Sequence, residues 1–489
     1  MREVLRAIFK TGSGSGASML FSAITSKALA VILGPSGIGL FSMLQQIQQT
    51  ATVASTVSGG PALIQGIASR KNQARNDYVV SVFWIYMGGM LLTAAFLIAT
   101  APWIADWTFG TSDGPTIGLI RWLAVPVALG VLQTFLFSIL NGFRAIGRLA
   151  IAGVTASATT ALVSYPLALG IDNGQLFWFI VLMSVSLFTS SILSFVFAFR
   201  RGWLEPIKSR SFRPTIMRDS AKHFFKIACT MFAMGLLASL VMVAVRSTII
   251  QHFSLAEAGI FNVAWTICMT YSMVILGSFG TYYLPTLSKT TDPKAKNILM
   301  VDMFRVSTIL LAPLIITVIV VKPALINILY AKDFLISLSM LRWMLIADYF
   351  KAASWVLGYP MVAYADMRRY VVMESFWQLG FLSASIVSLI YLNSIEGVGI
   401  GFMILYILLF FYTLHYARSY HSFRLPTRQA VMWMLGLGLI ILASAMTWSS
   451  MDIDWRIILI WIPLLTVFML LALNPGERRQ ARTWMSRRK

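Results

Sequence analysis

Charge is scarce in this chain of 489 residues: Asp, Glu, Lys and Arg together make 12%, and only 18 residues are acidic against 39 basic ones. Histidine occurs four times, at positions 223, 252, 415 and 421, scattered too widely to announce a metal site, and cysteine only twice, at Cys229 and Cys268. No GxxxxGK[ST] phosphate loop, GxSxG elbow or HExxH pair is found, which argues against ATP-driven pumping by the chain itself and against nucleophilic or zinc chemistry. Both cysteines fall inside apolar runs, where they read as small apolar filler rather than as a disulfide. The longest stretch on the basic-poor side of the chain is "APWIADWTFGTSDGPT", residues 101–116, too short for a large external catalytic loop.

What is present is hydrophobic. Apolar residues make 58% of the sequence, more than a soluble domain could bury, so the chain reads as an all-α polytopic membrane protein. The first apolar run follows "MREVLRAIFK" and is too long for a removable signal peptide; it reads as the first spanning helix. A hydrocarbon core about 30 Å thick needs about 20 helical residues. On that scale fourteen spans are expected, over 12–33, 38–67, 78–100, 116–141, 149–170, 176–199, 225–250, 258–285, 299–321, 336–362, 370–392, 397–418, 430–448 and 455–473.

The net charge of +21 is spread through loops instead of forming a basic module, which argues against nucleic acid as a partner. Even-numbered junctions carry the Lys and Arg, among them Arg70, Lys71, Arg75, Arg144, Arg148, Arg200, Lys289, Arg368, Arg418 and the tail "ERRQARTWMSRRK". Odd junctions are nearly bare, with Lys322, Lys332 and Arg456 as exceptions. The positive-inside rule then places both termini in the cytoplasm.

The longest cytoplasmic segment, residues 200–224, separates six helices (1–199) from six more (225–420), and 421–489 supplies two further helices and the basic tail. Internal similarity supports a duplicated unit. "SGIGLF" aligns with "AEAGIF", placing Gly39 on Gly259, and the same offset of 220 residues places Arg148 on Arg368 and Gly60 on Gly280. Because six is even, the copies share one orientation and relate by an axis along the membrane normal, enclosing a cavity where they meet.

A Lys or Arg at the centre of a spanning helix costs about 2.5–3.5 kcal/mol, so intramembrane charges are candidate functional residues. Lys27 shares a helical face with Gly16, Ala23, Ala30 and Gly34, a small-residue stripe suited to packing or a cavity wall. Its stem is also long enough to snorkel to the external interface. Shifted by the repeat, it lands beside Arg246, so the first and seventh helices each carry a cation at similar depth. Asp348 and Lys351, three residues apart, form either a self-neutralising pair or a gating element. Glu374 and Gln378 make a similar one-face pair, and either acid could bind a coupling proton or sodium ion. Gln45, Gln49, Thr52 and Thr56 recur at helical spacing on the second span. Such a face is either bonded to other helices or, with aromatics such as Trp265, turned to sugar hydroxyls.

Three stretches carry a family resemblance: "SKALAVILGPSGIGLFSMLQQI", "YYLPTLSK" and "ADYFKAASWVLGYPMVAYADMRRYVVMESFWQ". Their charge, aromatic and glycine positions resemble the Wzx-type flippases of O antigen and enterobacterial common antigen, in the polysaccharide transporter branch of the multidrug/oligosaccharidyl-lipid/polysaccharide exporter superfamily. The resemblance covers most of the first twelve helices. It implies a transporter and not an enzyme: two pseudo-symmetric six-helix bundles that flip an undecaprenyl-pyrophosphate-linked oligosaccharide by alternating access across a bacterial inner membrane. Lys27 and Arg246 would engage the pyrophosphate and the polar walls the glycan. A proton or sodium gradient would be the energy source, and membrane lipids, a polysaccharide polymerase and a chain-length regulator the partners. The two last helices depart from the twelve of many such flippases and read as an accessory or lipid-side addition. A cation-coupled multidrug exporter of the same superfamily, whose cavity would be acidic, and a membrane polysaccharide polymerase or glycosyltransferase are the other classes considered.

Overall fold

The computed structural model describes residues 2–209, 216–448, 452 and 455–472; the basic tail and the linker residues 210–215 lie outside the described residues. Every regular element among the described residues is helical: α1 (Arg2–Thr56), α2 (Gly60–Ser69), α3 (Asn72–Phe109), α4 (Gly114–Trp122), α5 (Ala124–Gly142), α6 (Ile146–Asp172), α7 (Trp178–Phe199), α8 (Glu205–Ser209), α9 (Arg218–His252), α10 (Leu255–Lys289), α11 (Pro293–Leu329), α12 (Leu338–Ala363), α13 (Met367–Ile386), α14 (Glu396–His421), α15 (Thr427–Met446) and α16 (Trp455–Ala472).

Among the described residues, twelve helices are long and apolar enough to cross a membrane. The first, spanning 16–69, would be about 80 Å long if straight, at about 1.5 Å per residue, far beyond one crossing. It is bent at Gly34, where φ is 62° and ψ −167°, a conformation that a β-carbon opposes and that Pro35 follows with no backbone donor. That bend makes two crossings, as the spans 12–33 and 38–67 anticipate. α12 is left out of a hydropathy count because it holds Arg342, Asp348 and Lys351. Restoring it and dividing α1 recovers the fourteen expected segments.

Three local expectations are corrected. The second span is broken at Val57 and Ser58, whose φ values of 51° and 48° separate α1 from the short α2. The external stretch 101–116 is mostly helix: α3 continues through Pro102 to Phe109 and is closed by Gly110 (φ 68°), whose N–H bonds Asp106 O. Lys322 is not a loop residue but lies inside α11, 1% exposed, with Nζ 3.3 Å from Thr447 Oγ1.

Contacts divide the chain into one unit over Ser13–Asn262 and a second from Val263 onward that also takes in the residues up to Gly12. The boundary in contacts therefore falls inside α10, whereas the expected repeat boundary is the 200–224 linker; the six-helix division concerns equivalence in sequence, which contacts do not address. In the first unit α3 packs on α9, and Tyr78, Tyr86, Phe135 and Phe224 fill the space between them and α5. In the second, α12 lies against α11 and α14. Trp433 of α15 stacks on Tyr349 at 5.3 Å and on Phe410 at 4.9 Å, so this helix belongs to the core of its unit and is not an outer accessory.

The equivalenced glycines occupy matching contacts. A β-carbon on Gly39 would lie 1.9 Å from Leu255 O, and one on Gly259 would lie 2.1 Å from Pro35 O, so the two backbones touch where α1 crosses α10. Gly60 faces Ser138 of α5, and its counterpart Gly280 faces Tyr359 of α12.

Candidate functional site

The first unit contains the two cations singled out in the sequence. Arg246, near the end of α9, is 5% exposed. Its Nη2 donates to Asn262 Oδ1 at 3.0 Å and its guanidinium lies 5.8 Å from the centre of the Phe261 ring, while Nε and Nη1 are buried with no hydrogen-bond partner. A buried guanidinium whose facing group is a neutral amide lacks the anion that would offset its desolvation. Below it, Ser247 Oγ and Gln251 Nε2 donate to Trp107 O at 2.5 and 2.6 Å, closing the C-terminal carbonyls of α3 and fixing α9 against it.

Lys27 is half-buried, between two different arcs of α1. On one side of it Leu20, Ile24 and Val31 are 71%, 53% and 60% exposed; on the other, Ala30 is 1% exposed. Of the small-residue stripe only Ala30 is packed, since a β-carbon on Gly16 or Gly34 would meet nothing within 4 Å, and the lysine stands beside it.

A polar pocket of about 430 Å³ in the same unit is lined by Gln45, Gln49 and Thr52, together with Gln48, Gln133 and Ser239. Gln48 Nε2 donates to Thr52 Oγ1 at 3.0 Å, and Gln133 Nε2 to Ser190 Oγ at 2.6 Å. Thr56, one turn further on, is buried with its hydroxyl on Thr52 O and is not part of this wall. Of the residues that sequence spacing missed, Gln48 lies on α1 itself and the others come from α5, α7 and α9, whose amides and hydroxyls are isolated within apolar runs. No formal charge lines this pocket.

The second unit holds the acidic pairs. Asp348 and Lys351 are fully buried and bonded at 2.9 Å. Asp348 also accepts from Tyr271 OH and from Cys268 Sγ (3.2 Å), and Lys351 Nζ reaches Ser272 Oγ at 2.9 Å. The carboxylate is therefore satisfied by donors from both α10 and α12. Cys268, read as filler, is one of them, and both cysteines are free thiols. Trp265, Lys351 and Glu374 line a pocket of about 330 Å³, and buried Gln378 donates to Glu374 at 3.0 Å. The sequence-derived residues thus gather at three places, around Arg246, in the amide-lined pocket, and around Asp348 with Glu374. Among the described residues, no group of three or more His, Cys, Asp or Glu could hold a metal ion.

A helical chain with twelve helices long and apolar enough to cross a membrane among the described residues is a multi-span membrane protein. More particularly, the chain belongs to the polysaccharide biosynthesis protein family, which it matches over residues 4–291. It is 24% identical to the lipid III flippase of Escherichia coli strain K12 over 356 residues, 72% of this chain and 83% of that one. The fold is similar to that of a lipid II flippase in an inward closed conformation, with a TM-score of 0.70 and 14% identity over 96% of this chain and 98% of the other. It is also similar to an inward-facing multidrug resistance transporter of the MATE family, with a TM-score of 0.69 and 15% identity over 83% and 94%. These relatives are flippases and transporters, not enzymes.

Proposed function

We propose that the protein is a flippase that carries an undecaprenyl-pyrophosphate-linked oligosaccharide, an O-antigen-type repeat unit or a related glycan, from the cytoplasmic to the periplasmic leaflet of a bacterial inner membrane by alternating access. The observation that carries this reading is Arg246, a buried guanidinium with unfilled donors and no facing carboxylate, in a family of polysaccharide biosynthesis proteins. A pyrophosphate supplies the missing acceptors and charge, with Lys27 as the second cation. The uncharged amide pocket suits sugar hydroxyls, which need donors and acceptors but no counter-charge.

Coupling to a proton or sodium gradient is assigned to the Asp348–Lys351 pair, since a cation arriving at Asp348 would release Lys351 and loosen α12 from α10. Both termini are placed in the cytoplasm, and a polymerase and chain-length regulator are the expected protein partners. The test is complementation of a flippase-deficient strain with Lys27→Ala, Arg246→Ala and the double variant, at matched expression. Surface glycan should fall severely with Arg246→Ala and vanish in the double variant. Wild-type glycan from all three would sink the anion site.

A further inference from the structure

The pocket of the second unit differs in chemistry from the amide-lined one. Its wall holds three tryptophans and three tyrosines. Trp265 and Trp377 are engaged with other rings, Trp265 at 5.6 Å from Phe381 and Trp377 at 5.4 Å from it. Trp355, half-buried on α12, stacks on no ring among the described residues and lines the pocket. The indole N–H of Trp377 is buried without an acceptor. Lys351 is neutralised by Asp348, which leaves Glu374 as the net charge of the wall. Among the described residues that carboxylate takes a single hydrogen bond, from Gln378.

We propose that this pocket is a saccharide subsite, in which one pyranose ring stacks on Trp355 and donates a hydroxyl or amide N–H to Glu374, so that neutral or amino sugars are accepted and uronic acids rejected. The inference rests on the glycan-transport reading and deepens it by naming the sugars that the second unit selects. A pyranose carries an apolar C–H face that suits an indole and a polar edge that must be bonded, and the pocket wall holds both an indole not stacked on another ring and a carboxylate with one hydrogen bond. Its hydroxyl oxygens also provide the acceptor that the Trp377 N–H lacks. An isoprenoid chain would fill the same volume while burying the Glu374 carboxylate with the Gln378 hydrogen bond alone and the Trp377 N–H with none, each a penalised outcome. A lipophilic cation would answer Glu374 but offers no acceptor to the indole. A sugar carboxylate would face Glu374, the one acid of the wall, and like charges there act against binding.

The experiment measures tryptophan fluorescence of the intact protein in lipid nanodiscs, titrated with three probes: an N-acetylglucosamine trisaccharide, a galacturonic acid trisaccharide and tetraphenylphosphonium. The neutral trisaccharide should bind at least tenfold more tightly than the acidic one. Saturation-transfer NMR should show at least a tenfold weakening with Trp355→Ala, and Glu374→Gln should bring the two trisaccharides within threefold of each other. Equal binding of both by the wild type, binding of tetraphenylphosphonium alone, or indifference to both substitutions would overturn the subsite. A protein that translocates lipid-linked glycan yet gives any of those results loses the subsite and keeps the function. One that binds the neutral sugar as described but restores no surface glycan loses the function instead.

Discussion

Arg246 is expensive to keep: a guanidinium that is 5% exposed, with two nitrogens unbonded, opposes folding unless an anion meets it. Its replacement therefore separates function from structure. Arg246→Met should leave the melting temperature unchanged or raised while lowering glycan transport at least tenfold; a large fall in melting temperature would mark the residue as structural. Asp348 and Lys351 should behave in the opposite way, since their charges are mutually satisfied. Asp348→Asn alone leaves a buried ammonium without its partner, and breaking such a pair costs about 3–5 kcal/mol. The double variant Asp348→Asn with Lys351→Met should recover most of that loss in a thermal-shift measurement, and no recovery would show that the pair is not an isolated unit. These charged residues were legible in the sequence because a charge in an apolar run is rare. Cys268 and Tyr271 were not, since a thiol and a phenol are common in spanning helices, and only the packing of α10 on α12 turns them toward Asp348.

At the level of elements, bends and crossings are set by single small residues. Gly34 is needed for its backbone conformation and Gly39 and Gly259 for closeness, because a β-carbon at either of the last two meets a carbonyl oxygen at about 2 Å. Gly39→Ala and Gly259→Ala should each lower thermal stability, and the double variant should cost less than the sum, because one spreading of the helices relieves both clashes. Strict additivity would show that the two positions do not share a contact. The repeat that paired these glycines was visible as an offset in sequence, but their mutual contact was not, since alignment gives equivalence and not proximity. The opposite failure concerns α15. Its apolar sequence gave no sign of the Trp433 stack or of the hydrogen bond from Tyr349 OH to Trp433 O at 3.1 Å. Ending the chain after Pro426 should consequently strip the aromatic core of the second unit and lower the melting temperature, whereas a chain without α16 alone, most of whose side chains are exposed, should be milder.

For the molecule as a whole, the fold was readable because two demands act together: backbone groups in lipid must be satisfied within helices, and basic loops must stay inside. Length and periodicity gave the number of segments, including α12, which hydropathy alone leaves out. They placed helix ends less well, since α3 runs on to Phe109 and α11 to Leu329, past Pro102 and Lys322. Where a polar group is satisfied by a distant helix, as Lys322 is by Thr447, the local sequence still looks like a loop. The orientation follows from charge alone and can be checked directly. Cys229 is exposed and Cys268 buried, so a Cys229→Ser background leaves a thiol shielded from reagents. In that background Thr111→Cys, in the 110–113 loop, should react with a membrane-impermeant maleimide in intact spheroplasts, and Arg144→Cys only after the membrane is opened. Labelling of position 144 without permeabilisation would invert the topology, and with it the proposed direction of transport.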